Sequence, residues 1–285
     1  MKVRILGAGS IGLYLAQELI RANHNVSGLD LRLKDEQRKI RIRSQINGQK
    51  NLIEFDVNSE LSLNDEIVFV TLKSYAIDDL TISNLINSPA EILFLQNGLL
   101  VKSRLHTLST KVAIGTITGV QASVENRQLF ANVNNSKIII EMRSNCSKIG
   151  SLAVANSLEN SAFEFNETSH KLIYEKFVRW TITSCLNIIY DANLGECLKL
   201  IDSYEIISGI SELATFINMK FNVSINPENV LLSLYRLPNQ LVTSSYKDYK
   251  KGSLLEIGLE LDDILAYFSQ ASVKSVVLQK WREKI

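Results

Sequence analysis

The sequence predicts an α/β protein, a doubly wound parallel sheet followed by an all-helical half, on three observations. Short runs of apolar, largely β-branched residues recur through the first half with helical patterns between them. A glycine-rich turn separates the first such run from the first helical pattern. Beyond about residue 165 the strand-like runs give way to apolar residues repeating at threes and fours.

The expected strands are Val3 to Leu6, Val26 to Leu29, Ile67 to Leu72, Ile92 to Leu95 and Val112 to Thr116. Continuous apolar runs of this kind suit a sheet covered on both faces. The first helix runs from the glycine turn through about Ile20, and Lys137 to Met142 reads as a further strand closing the first half. Leu172, Ile173, Phe177, Trp180 and Ile188 then mark a helix over Glu167 to Ile189. Later helices are expected over about Ser203 to Phe221, Glu228 to Tyr235, Leu254 to Phe268 and Ser272 to Glu283. Arg236 to Ser253, holding Pro238, Asn239 and Gly252, reads as a loop of a length that often lines a site.

Composition narrows the function classes. With 285 residues, 46% of them hydrophobic, the chain can bury two cores, which disfavours a disordered binding protein. Lys and Arg number 31 against 30 Asp and Glu, so a net charge of +1 gives no field for nucleic acid or an anionic membrane. No run approaches the ~18 apolar residues of a membrane helix. Cys146, Cys185 and Cys197 match no zinc spacing and, as an odd set, read as reduced thiols. With no export leader apparent, a cytoplasmic setting is expected. His24, His106 and His170 have no metal-ligand partner at useful spacing, and no serine lies in a nucleophile elbow, so no metal site is expected.

The chemistry gathers at the glycine turn Gly7-Ala8-Gly9-Ser10-Ile11-Gly12, between a strand and a helix. Gly7 permits the tight turn, Gly9 leaves room for a pyrophosphate to approach the backbone, and Gly12 allows close packing. The N–H groups at Ser10 and Ile11 open a helix whose positive end favours phosphate. This pattern predicts a Rossmann-type dinucleotide-binding domain over residues 1–165 and a helical substrate-binding domain over 166–285. Asp30 lies past the second strand, roughly 20 residues on, where an acid holds the adenosine ribose of NAD and repels a 2′-phosphate. Arg32 and Lys34 lie beside it and suit a 2′-phosphate instead, so the local chemistry supports either cofactor. Lys73, in Thr71-Leu72-Lys73-Ser74-Tyr75, and Asn97, in Leu95-Gln96-Asn97-Gly98-Leu99, follow the carboxyl ends of strands. Cofactors and substrates of open α/β sheets bind at such ends.

These segments, with a helix carrying Tyr174-Glu175-Lys176-Phe177 and the run Ala192 to Glu196, resemble the ketopantoate reductase family, also called 2-dehydropantoate 2-reductase. The resemblance spans nearly the whole chain, because Ser244, Asp248 and Glu256-Ile257 are similar to the family's C-terminal segment. It implies NADPH-dependent reduction of a 2-oxo acid, ketopantoate first, in pantothenate biosynthesis. It also implies Lys176 as general acid, Glu256 and Ser244 as holders of the substrate, and Asn97 in the site. Lys73 matches a family lysine near the cofactor. NADP is favoured by the resemblance and NAD by Asp30. The expected partner is a small-molecule 2-oxo acid, with no nucleic acid and no membrane; a homodimer is among the assemblies left open.

The departures bear on substrate. The family helix usually carries asparagines four and eight residues after its lysine, where this chain has Trp180 and Ser184. Trp180 would narrow the pocket and make it more apolar, which suits a branched or aromatic 2-oxo acid. Thr183 and Asn187 face nearly the same way as Lys176 at ~100° per residue and offer partial replacements. A dinucleotide-binding regulatory protein without turnover is the alternative outside enzymes, favoured by loss of both asparagines and opposed by Lys176, Ser244 and Glu256.

Overall fold

The computed structural model of the chain describes residues 1–29, 38–58, 66–101, 112–141, 146, 147, 149, 164–166 and 170–285. Two compact units result: residues 1–96 with 101–170, and residues 97–100 with 171–285.

In the first unit, β1 (Lys2–Leu6) pairs in parallel with β2 (Asn25–Leu29) on one side and β5 (Glu66–Val70) on the other. The parallel run continues through β6 (Glu91–Phe94) to β7 (Val112–Glu125). Alternate residues of these strands feed two cores. Val3, Ile5 and Phe69 pack with Leu13, Leu15 and Leu19 of α1 (Ser10–Arg21). Leu6, Val68 and Val70 pack with Ile82 and Leu85 of α2 (Asp79–Ile86). Burial on both faces is why these strands read as unbroken apolar runs.

Two further features escaped the sequence reading. β3 (Arg38–Ile46) and β4 (Gln49–Asn58) form an antiparallel hairpin about Asn47-Gly48, where φ is +47° and +83°, and β4 pairs in parallel with β2. β7 runs past the expected Thr116 to Glu125, turns at Asn126-Arg127 and returns as β8 (Gln128–Glu141), which also pairs with β3. These strands have one solvated face, so charged residues such as Lys39, Arg41 and Glu54 alternate with Ile40, Ile42 and Ile53 and break up the apolar run. β9 (Glu164–Asn166) pairs in parallel with β8.

The second unit is helical: α3 (His170–Ile189), α4 (Leu194–Leu200), α5 (Ser203–Phe221), α6 (Pro227–Tyr235), α7 (Ser244–Lys250), α8 (Glu256–Gln270) and α9 (Val277–Arg282). One core joins them, built on Tyr174, Phe177, Leu186, Phe216, Leu261 and Trp281, and it takes in Leu99. α3 is buried almost all round from Phe177 to Ile188, so even Thr181, Ser184 and Asn187 are enclosed. That is the burial pattern of a central helix.

Two expectations change here. The stretch expected as a loop from Arg236 to Ser253 contains α7, which Thr243 starts by accepting a hydrogen bond from the Tyr246 N–H. The last helix is shorter than expected, because Ser275 and Val276 are held by Glu212 ahead of its first turn. Among the described residues no helix is long and apolar enough to cross a membrane, and no group of His, Cys, Asp and Glu could hold a metal ion.

Candidate functional site

Beyond the end of β1 the chain turns sharply at Gly7, whose φ of +112° is a conformation L side chains rarely adopt. A Cβ there would lie 2.8 Å from the Leu72 nitrogen, and one on Gly12 would drive into the Gly7 carbonyl oxygen. The Thr71 hydroxyl braces the turn by donating to the Gly7 carbonyl at 2.7 Å. Gly12 thus packs against the turn itself rather than simply spacing helix from strand. Gly9 is different, because a Cβ there would meet nothing within 4 Å.

Gly9 is also the N-cap of α1, which has no side-chain cap and no acidic residue in its first turn. The Leu13 N–H closes on the Gly9 carbonyl, and the opening N–H groups, at Ser10 and Ile11, form a bare positive helix end beside open space. A pyrophosphate fits these residues. Asp30 and Arg32 lie outside the described residues, as does Lys34. Lys73 is half-buried and precedes a short 3-10 turn at Ser74–Ala76.

The segment after β6 is held firmly. Gln96 is buried, and its side-chain amide donates to the Val70 and Leu72 carbonyls at 3.0 Å each. Asn97 follows, and its Oδ1 accepts a 2.9 Å hydrogen bond from Lys176 Nζ on α3. Two residues from opposite ends of the sequence-derived list are therefore in direct contact within the helical unit. An ammonium has three donors, so an acceptor that fixes one of them orients the others.

Glu256 is buried at the first position of α8, where the positive end of the helix favours a carboxylate. Glu260, one turn on, went unnoticed in the sequence. Its carboxyl group accepts from the backbone N–H of Leu99 at 3.0 Å and of Leu100 at 3.1 Å. Burial pushes its pKa up to about 8; the Leu100 N–H opposes that rise, Glu256 adds to it, and the Leu99 N–H opposes it more weakly.

Ser244 is exposed at the start of α7, whereas its neighbour Ser245 is buried with a hydroxyl that has no partner. Trp180 is 8% exposed and packs 6.1 Å from the Phe177 ring between centroids. Its indole N–H, the Thr181 hydroxyl and the Ser184 hydroxyl are all buried without partners. Leaving such a group unmet costs about 1–3 kcal/mol, and buried groups of this kind are met by ordered water, an ion or a ligand.

Asn187 departs from expectation. Its amide donates to the Ala192 carbonyl at 2.9 Å, and its Oδ1 accepts from the Thr243 N–H at 3.0 Å. It anchors the chain ahead of α7: its amide also reaches the Leu241 carbonyl at 3.4 Å, so both donors are engaged, and the side chain is fully buried. Thr183 donates to the carbonyl of Arg179, one turn back on its own helix. Gln96, Thr71 and Glu260 each act on the backbone of a segment distant in sequence, so local pattern carries no trace of them.

Comparison with known proteins bears on the family and the fold. The family of ketopantoate reductase PanE/ApbA matches residues 3–144. A D-mandelate dehydrogenase solved with NADH and anilino(oxo)acetate is similar over 100% of this chain and 97% of its own, with a TM-score of 0.82 at 18% identity. A dimeric ketopantoate reductase from Staphylococcus aureus has a TM-score of 0.79 at 11% identity, covering 99% of this chain and 96% of its own. A probable 2-dehydropantoate 2-reductase from Bacillus subtilis has 0.77 at 17%, covering 99% and 98%. No curated protein sequence matches.

Proposed function

This chain belongs to the ketopantoate reductase family and is an NAD(P)H-dependent oxidoreductase, and on that premise we propose that it reduces a 2-oxo acid to the 2-hydroxy acid. The observation that carries the reading is the hydrogen bond from Lys176 Nζ to Asn97 Oδ1. Ketopantoate is the first candidate substrate.

The dinucleotide is assigned to a Rossmann-type domain over residues 1–165 and the substrate to the helical domain over 166–285. Gly7, Gly9, Ser10, Ile11 and Gly12 would hold the pyrophosphate, with Lys73 and Asn97 toward the nicotinamide end. When bound, the reduced nicotinamide supplies the hydride for the carbonyl carbon. Lys176 does the remaining chemistry: its ammonium steadies the charge developing on the carbonyl oxygen and gives up a proton to it. Asn97 fixes one N–H of that ammonium so that another can be aimed at the substrate. Glu256 accepts from a substrate hydroxyl, and Ser244 is a further substrate contact. Family resemblance and Arg32 favour NADPH, while Asp30 favours NADH. A cytoplasmic setting and service in pantothenate biosynthesis complete the assignment, with the assembly left open between a homodimer, as in the dimeric relative, and other states.

A second substrate class has its own support. Trp180, packed against Phe177, stands where the family usually carries an asparagine, and a similar fold binds anilino(oxo)acetate, an aromatic oxo acid derivative. Trp180 and Ser184 then choose between branched or aromatic 2-oxo acids and ketopantoate. The test is loss of the reduced-nicotinamide absorbance band, with NADPH and NADH each paired with ketopantoate and with branched and aromatic 2-oxo acids. Trp180→Asn should raise activity on ketopantoate relative to apolar substrates. Unchanged relative activity would return Trp180 to core packing, and a wild-type chain inert on the entire panel would refute the reductase reading.

A further inference from the structure

Asn97, Gly98, Leu99 and Leu100 are gripped from two sides within the helical unit. The Asn97 side chain accepts from Lys176 on α3, while the Leu99 and Leu100 N–H groups both donate to the Glu260 carboxylate on α8. The fit at Glu260 is close: a Cβ on Gly98 would run into Oε1, so a larger residue at 98 would displace the end of the Glu260 side chain. Glu260 is 1% exposed, and the free-energy cost of burying its carboxyl group is offset by the hydrogen bonds that it accepts from the Leu99 and Leu100 backbone.

We infer that Glu260 is a positioning residue for the reductase, setting the 97–100 backbone and, through Asn97 Oδ1, the orientation of the Lys176 ammonium. The inference rests on the proposed reduction of a 2-oxo acid by Lys176. Glu260 itself touches neither substrate nor cofactor in this role. A mispositioned proton donor lowers rate steeply, because proton transfer requires hydrogen-bond geometry at the moment of reaction. The family resemblance identified Glu256 and not Glu260, which lies on the next turn of the same helix and acts on backbone only.

Two variants separate the contact from the volume. Glu260→Gln keeps one acceptor oxygen, and Glu260→Met fills the space with none. Each is combined with Asn97→Ala, and two quantities are read: kcat and KM on the best 2-oxo acid, and the ¹⁵N resonance of Lys176 Nζ, assigned by its loss in Lys176→Ala. The expected result is a fall in kcat of about 10-fold for Gln and more for Met, with KM for the dinucleotide unchanged. In the double variants kcat should be no lower than in Asn97→Ala alone, since both act through one contact. The Lys176 resonance should move in the Glu260 variants toward its position in Asn97→Ala.

Losses that multiply in the double variants would overturn the inference, as would a Lys176 resonance that stays in place. The resonance distinguishes the two claims. If it moves as expected but the wild-type chain turns over no 2-oxo acid, Glu260 does position Lys176 and the reductase reading alone fails. If Glu260→Met does not fold, Glu260→Gln still decides, through the same two readouts.

Discussion

Gly9 and Gly12 are separated by one turn of backbone yet should respond oppositely to substitution. Gly9 faces open space, so Gly9→Val should fold with a melting temperature near wild type and lose dinucleotide affinity, because the side chain would occupy the approach to the Ser10 and Ile11 N–H groups. Gly12→Ala should instead destabilise the first unit, since its Cβ would strike the Gly7 carbonyl. Thermal melts paired with fluorescence titration of NADH and NADPH read both effects; a folded Gly9→Val that binds dinucleotide normally would make the glycine a mere turn residue. At this scale the sequence was informative where residues act locally. The glycine turn is contiguous, and Lys176 and Asn97 lie in recognisable segments. Glu260 was invisible because Glu260-Leu261-Asp262-Asp263 reads as the solvated face of a helix, and only folding brings it to Leu99 and Leu100.

Among the elements, α9 shows how little of a helix can be intrinsic. It spans six residues, and its N-cap Val276 has no side-chain cap. Glu212 on α5 acts in its place, accepting from the Ser275 hydroxyl at 2.6 Å and from the N–H groups of Val276, Val277 and Leu278 at 3.0 Å each. The indole N–H of the fully buried Trp281 donates to Glu205 on the same helix. Glu212→Ala should therefore lower stability by about 1–2 kcal/mol, as loss of a helix cap does, with the rate on substrate unchanged. Urea denaturation checks it, and a shift under a few tenths of a kcal/mol would show that water satisfies these groups equally well. The same dependence on distant partners explains which elements were legible. α5 was expected over its observed span because its apolar positions repeat over 19 residues. α4 and α7, seven residues each, are too short for a period to emerge. β3 and β4 carried a readable signal after all: Asn47-Gly48, the strongest short-range mark of a hairpin, flanked by partial alternation at Ile40, Ile42 and Ile46 and at Ile53, Phe55 and Val57.

Across the whole molecule, the buried Glu260 should leave a mark on stability against pH. Its pKa rises from an ordinary 4.5 to about 8, chiefly through burial. Between those values the folded chain keeps a proton that the unfolded chain has released, so raising pH across that window favours unfolding. Wild type should lose stability relative to Glu260→Gln from pH 5 to pH 8, and the two curves should run parallel above that. Parallel curves throughout would mean that the carboxylate is ionised in the fold at neutral pH.

The central claim is that Lys176, steered by Asn97, donates the proton in a nicotinamide-dependent reduction. The direct measurement is the single-turnover rate of reduced-nicotinamide oxidation by wild type and Lys176→Ala, on the best 2-oxo acid, with dinucleotide affinity measured alongside. Proton donation by Lys176 predicts a rate lower by ~10²–10⁴ in Lys176→Ala, the range for one acid–base group, and an unchanged dinucleotide affinity. Near-normal turnover in a folded Lys176→Ala would contradict it, because the proton would then come from another group and the hydrogen bond to Asn97 would be packing alone.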